Sequence, residues 1–306
     1  MTEAQYLKNL NRPTGKVDVV LDTDTYNEID DQFAISYMLK CSDMLNVKGI
    51  CAAPFYNDRS KSPKDGMLRS YNEILKLLKL SKMEEYIEKV HKGSENYLPD
   101  EKTPVESDAA DYIAELANRY SPDNPLYIVA IVAITNVASA IIKNPNIKEN
   151  AVVVWLGGHA LHVGKPASEF NMVQDIAAAR VVMGSGVPFV QLPCAGVVDS
   201  FTTSRYELEH WLKGKNELCD YLLENTVGEA ESYAAGKPWT RVIWDVTAVA
   251  WLTDREGRFM KERIIRCPIP EYDLFYAENI NAHFIKYVYK INRDALFEDL
   301  FKKLAE

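Results

Sequence analysis

VDVVLDTDTYNEIDDQFAISYMLK, residues 17–40, passes from an apolar run through an acidic cluster into a helical pattern. Val17, Val19, Val20 and Leu21 are aliphatic on both alternating faces, as in a strand covered by helices on both sides. DDQFAISYMLK then carries the period of a helix. Asp30 and Asp31 fall in its first turn, where unsatisfied N–H groups and the dipole favour negative charge. Helix capping therefore accounts for these two. It does not account for Asp22 and Asp24, which end an otherwise apolar strand. Carboxylates this close repel, and burying one without a partner is costly. Strand-end and helix-start aspartates that converge make a hard, oxygen-rich cation site suited to calcium or magnesium, and the Cys/His set that zinc prefers is missing.

Outward from this stretch the same alternation repeats. VKGICAA (47–53), LYIVAIV (126–132), AVVVWLG (151–157) and VPFVQLP (187–193) read as further strands. DGMLRSYNEILKLLKL, SDAADYIAELANRY, TNVASAIIKN and DIAAARVVMGSG read as the helices between them. Thr135 or Asn136 is a candidate cap for the third of these helices, and Asp175 for the fourth. The pattern predicts an α/β fold: a mostly parallel, Rossmann-like open sheet with helices on both faces. From about residue 201 the reading turns mainly helical, including VIWDVTAVAWL (242–252). No repeat or linker divides residues 1–306, so a single domain is expected. Ligands of such sheets bind beyond the carboxyl ends of the strands, which is where Asp22–Asp31, Asn57, Ile131–Asn136 and Gly157-Gly158-His159 fall.

The 306-residue chain is 47% hydrophobic and carries a net charge of −9 without any concentration of Lys and Arg, which argues against a nucleic-acid partner. The five cysteines lack CxxC pairing and fit free thiols in a reducing cytosol. The N-terminal residues show no signal pattern, and no apolar run is long enough to span a bilayer, so a cytoplasmic protein without membrane contact is expected.

Two families place aspartates in this way. Asp22-Thr-Asp24-Thr25 matches the DxDx(T/V) motif of haloacid-dehalogenase-like phosphatases, whose first aspartate attacks a phosphoryl group beside magnesium. The downstream lysine and acidic pair of that family have no counterpart here. The chain resembles the inosine–uridine-type nucleoside hydrolases over roughly residues 16–300. Their DxDxGxDD signature corresponds to Asp22 through Asp31, here with a longer spacing between Asp24 and Asp30 and no glycine. A strand running into an asparagine corresponds to GICAAPFYN, ending at Asn57. VATGPLTN corresponds to Val129–Asn136. GG followed by PxxEFN corresponds to Gly157-Gly158 and Pro166–Asn171, and HDxxA to Trp244-Asp245-Val-Thr-Ala248.

The resemblance implies a calcium-dependent hydrolase that cleaves the N-glycosidic bond of ribonucleosides and assembles as a homodimer or homotetramer. It implies calcium ligands Asp24, Asp31, Asp245 and the backbone carbonyl of Ile131, with Asp24 also the base that takes a proton from the attacking water. Asp30, Asn171 and, nearby, Asn57 would contact ribose hydroxyls, Asp245 would also face the substrate, and Glu169 would meet the 5′-hydroxyl. Asp22 would support the site. Three departures stand out. Trp244 replaces the histidine that helps a purine leave in the best-known branch, so it either stacks on a base or packs. Val163 stands where the family has a second 5′-hydroxyl-binding asparagine. The longer loop is expected to bring Tyr26, Asn27 and Glu28 to the mouth of the site. His159, His162 and His283 are the remaining candidate acids. A binding protein that holds ribosides on the same scaffold without turnover is the rival reading.

Overall fold

The computed structural model describes residues 1–306. An eight-stranded sheet organises it. Its first six strands in chain order are β1 (Val17–Thr23), β2 (Leu45–Ala52), β3 (Val90–Lys92), β4 (Leu126–Ala130), β5 (Ala151–Leu156) and β6 (Phe189–Leu192). They lie side by side in the order β3-β2-β1-β4-β5-β6, every pairing parallel. The strand Phe284–Ile291 joins β6 in parallel, and Met260–Arg266 closes that edge antiparallel. The C-terminal part is helical over Arg205–Leu212, Glu217–Ala234, Val246–Thr253 and Arg293–Ala305, as expected, but it also supplies these two sheet strands, which the sequence reading did not include.

The continuous apolar runs have a simple cause. Alternate residues of each central strand feed two different cores. Val19 and Leu21 of β1 and Val152, Val154 and Leu156 of β5 join one cluster, with Phe33, Ile35 and Trp251 from helices on that face. Val20, Val153 and Trp155 point the other way, among Ile113, Val137 and Val182 from the opposite helices. Each such side chain, buried on either face, contributes about 1.5–3 kcal/mol from apolar area removed from water.

The chain leaves β1 for β2 on one side, and later returns as β4 on the other. The order of strands thus reverses at β1, which opens a crevice at the carboxyl ends of β1 and β4. Register brings those ends level: Asp22 lies beside Cys51 of β2 and Ala130 of β4.

Candidate active site

Every acidic residue of the opening cluster except Asp22 faces one cavity of about 200 Å³ at this crevice. Its walls include Asp24, Asn27, Glu28, Asp30 and Asp31 from the turn after β1, and Ile131 from the end of β4. Glu169, Phe170 and Asn171 come from beyond β5, and Trp244 and Asp245 from the C-terminal part. The order of the fold therefore unites residues that are far apart in sequence.

Asp30 and Asp31 open the helix Asp30–Lys40, but Ile29 occupies the capping position and makes no side-chain cap bond. The two aspartates point at the cavity instead. One carboxylate oxygen from each of Asp30, Asp31 and Asp245 lies within 4.8 Å of the other two. This tight group differs by one member from the expected ligand set, with Asp30 inside it and Asp24 lining the same cavity. Thr23 Oγ1 donates to Asp31 Oδ1 and pairs with Thr25 Oγ1 at 2.9 Å, fixing the turn. The carbonyl of Ile131 accepts no hydrogen bond from the protein, while its N–H donates to Asp22 O at 3.0 Å.

The electrostatics of this group call for a cation. Burial, then the charges of Asp31 and Asp30, hold the Asp24 carboxyl well above its usual range. Burial does the same to Asp30, reinforced by Glu28 and Asp31, and to Asp245, reinforced by Asp30 and Asp31. Asp31 is pushed up to about 6 by burial, against the hydrogen bond from Thr23. Asp24 Oδ2 and Asp30 Oδ1 are buried with no hydrogen-bond partner at all. Arg241, whose charge acts on Asp30, is already paired with Glu28 at 3.1 Å and Glu229 at 2.9 Å. Unpartnered hard oxygens without a cationic side chain among them fit a divalent ion such as calcium or magnesium.

Asp22 stands behind the cavity. Its Oδ1 accepts from Asn136 Nδ2 at 2.8 Å, and burial pushes it up to about 7. Asn136 in turn accepts from the N–H and hydroxyl of Ser94, each at 2.8 Å. Gly93 permits this approach, since a Cβ there would collide with Ala52 O and crowd Asn136. Asp22 thus lies outside the cavity, bonded to Asn136, which speaks against the phosphatase reading, in which it would be the nucleophile. The capping expectation for Thr135 and Asn136 is corrected here. Thr135 Oγ1 donates to Asp175 Oδ2 at 2.7 Å and Asn136 reaches Asp22, while Ile134 takes the cap position. Side-chain bonds to buried carboxylates have displaced local ones. Asp175 does cap its helix, accepting from Ala178 N at 2.9 Å.

At another part of the wall Glu169 is buried and bonded by the N–H groups of Gly158 at 2.8 Å, Asn171 at 2.8 Å and Met172 at 3.0 Å. Burial raises its pKa against these three bonds. Gly158 sits at φ +77°, and a Cβ there would strike the Tyr276 hydroxyl. Asn171 Nδ2 donates to Leu156 O at 3.0 Å, which leaves its Oδ1 free at the cavity. Trp244 is half-buried on the wall.

Four sequence expectations fall elsewhere. Asn57 does not reach the cavity; its Nδ2 donates to Asn27 Oδ1 at 2.7 Å. Tyr26 turns into a neighbouring polar hollow, its ring under Arg69 at 5.3 Å. His162 is exposed, and His283 is not on the cavity wall, its ring standing edge-on to Tyr6. Of the three candidate histidines only His159 lines the cavity; Ala195 N–H donates to its Nδ1 at 3.2 Å. Asn27 and Glu28 take up the expected position at the site. Cys194, on the wall next to Glu169, carried no signal in the sequence.

A model of the inosine-uridine preferring nucleoside hydrolase family matches residues 19–282. The chain belongs to this family. Solved structures share the nucleoside hydrolase fold at low identity. A plant nucleoside hydrolase is 17% identical with a TM-score of 0.75, covering 94% of this chain and 99% of that one. A purine-preferring ribonucleoside hydrolase from Gardnerella vaginalis is 19% identical with a TM-score of 0.75, covering 94% of this chain and 98% of the other. The type III effector protein XopQ, complexed with adenosine diphosphate ribose, is 14% identical with a TM-score of 0.70, covering 100% of this chain and 99% of the other. At such identities the likeness concerns the fold. A Schizosaccharomyces pombe protein is 34% identical over 98 residues, and that match spans 31% of this chain and 31% of the relative's length. No helix in this nucleoside hydrolase-family chain is long and apolar enough to cross a membrane.

Proposed function

We propose that the protein hydrolyses the N-glycosidic bond of ribonucleosides with calcium as its resident ion, releasing ribose and a base. One observation carries the reading: buried, partly unpartnered carboxylates from both ends of the chain meet around a cavity of sugar size. Asp24, Asp31, Asp245 and the Ile131 carbonyl would hold the ion, with Asp30 close enough to share in the task. When bound, the ion supplies positive charge that fixes vicinal sugar hydroxyls and acidifies a water.

The chain's own groups account for the rest. Asp24, with Oδ2 free, accepts the proton of the attacking water. Asp30 and the free Oδ1 of Asn171 accept from ribose hydroxyls, and Glu169 marks the 5′ side. The carboxylate wall stabilises the positive charge that develops on the sugar as the bond to the base breaks. Trp244 lines the cavity, where its ring could stack on a base, but its indole N–H is too weak an acid to protonate a leaving group. His159 is the imidazole positioned to serve the leaving group. Because its Nδ1 accepts from Ala195, the proton of the neutral ring resides on Nε2.

The test is release of reducing sugar from a panel of purine and pyrimidine ribosides, in calcium and after chelation. Turnover in calcium that chelation abolishes is the expected result. The rival reading, riboside binding without turnover, is favoured by the missing histidine at Trp244 and by the ligand named for XopQ. Tight ribose binding with no cleavage of any riboside would establish it. We also propose that the chain is a single cytoplasmic domain that forms a homodimer or homotetramer, which sedimentation of the purified protein tests.

A further inference from the structure

The longer turn between Asp24 and Asp30 introduces a side chain whose bonding is almost complete. Asn27 is only 5% exposed, yet it lines the cavity. Its N–H donates to Asp24 O at 2.7 Å, and its carbonyl accepts from Arg59 Nη1 at 2.6 Å. Its Oδ1 accepts from Asn57 Nδ2 at 2.7 Å. The orientation of this pair is determined by a third bond. Arg59 N–H donates to Asn57 Oδ1 at 2.9 Å, so the NH₂ of Asn57 must face Asn27, and Asn27 must present oxygen to it. That leaves Asn27 Nδ2 as the one polar group of the residue with no protein partner, on a residue that lines the cavity together with Asp24 and Asp30.

An unpartnered amide donor and an unpartnered carboxylate acceptor on the wall of one cavity suit a group that both accepts and donates. A hydroxyl does both: its oxygen accepts from Nδ2 while its proton goes to Asp30, whose Oδ1 is itself unpartnered. We propose that Asn27 contacts a ring hydroxyl of the sugar, and that Asn57 is a positioning residue that holds the Asn27 amide the right way round. The inference rests on the riboside reading above. It moves the direct contact from Asn57, the family-matched position, to a residue of the turn that departs from the family pattern.

Calorimetric titration of the calcium-loaded protein with D-ribose, 2-deoxy-D-ribose and 3-deoxy-D-ribose tests it. Asn27→Ala should weaken ribose binding about 3- to 10-fold, the value of one lost hydrogen bond, and cost nothing on whichever deoxy sugar lacks the contacted hydroxyl. Asn27→Asp keeps the oxygen that receives the Asn57 bond, so the turn is retained, but it removes the donor; it should lose at least as much. Asn57→Ala should weaken ribose binding too, and the double variant Asn27→Ala/Asn57→Ala should be no weaker than Asn27→Ala alone. Wild-type affinity in Asn27→Asp, or equal losses on all three sugars, would overturn the contact. Additive losses in the double variant would overturn the positioning role. Ribose binding that survives intact in both Asn27 variants removes this inference while leaving the riboside reading standing; no ribose binding by the wild-type protein removes both.

Discussion

In the proposed mechanism Asp24 both holds the ion and takes the proton of the attacking water. Asp24→Asn should lower turnover by ~10²–10⁴-fold through loss of the base, read in steady-state kinetics. It should leave the calcium-free protein no less stable, because a repelled carboxylate has been neutralised. Nearly full activity on a cleaved riboside would remove Asp24 from the mechanism. Trp244→Ala separates stacking from packing. A stacked ring serves ground and transition states alike, so KM should rise more than kcat falls. Since the ring is half-buried, the stability loss should stay below the ~3–5 kcal/mol of a fully buried tryptophan. An unchanged KM with a full packing loss would contradict stacking. The roles of Asp30, Asp31 and Asp245 as cavity acids could be read from the sequence because their motifs keep order along the chain. Exchange of Asn57 for Asn27 could not, since it depends on which amide the turn pushes forward. Nor could the choice among His159, His162 and His283, which depends on where three separate loops end.

At the scale of elements, strands β1, β2, β4, β5 and β6 were legible because burial on both faces leaves an unbroken apolar run. Val90–Lys92 is too short to show one. Met260–Arg266, MKERIIR, is an edge strand whose exposed side carries charge, a pattern that also suits a surface helix. Phe284–Ile291 alternates Lys286 and Lys290 with aromatic residues, which weakens its apolar signal, although Lys286 is buried by its pairing with Glu262 at 3.3 Å. Thr135 and Asn136 misled for a related reason: a hydroxyl or amide at a helix start caps locally unless a buried carboxylate competes for it. Asp22 is that competitor for Asn136 and Asp175 for Thr135, Asp175 also receiving Leu98 N and Ala178 N. Asp175→Ala orphans all three donors and should cost about 2–4 kcal/mol in urea unfolding. A loss within experimental error would mean that the junction of these two helices is held elsewhere.

Over the molecule as a whole, the acid cluster links stability to pH and, on the proposed reading, to calcium. Folding raises the pKa of Asp22 to about 7 and of Asp31 to about 6, above the unfolded value near ~3.9. Carboxyls raised in this way favour the folded state fully below ~4, and that contribution is lost as pH rises through about 6 to 7. Chelated protein should therefore melt at a lower temperature at pH 8 than at pH 5, and calcium should restore more at pH 8. At a hundredfold excess over its Kd, the ion adds about 2.7 kcal/mol. An equal calcium effect at both pH values would dissociate the cluster from ion binding. The placement of Asp245 has one more consequence, which concerns time. Asp24 enters with the first strand of the sheet, whereas Asp245 arrives only after β6 is complete. A chain still emerging from the ribosome holds only part of the carboxylate group, and the proposed ion could compensate its clustered aspartates only late in synthesis. If the proposed ion binds there, its affinity would signal completed folding, and a truncated product that lacks the helix Val246–Thr253 and the residue before it would be marked by its uncompensated charge.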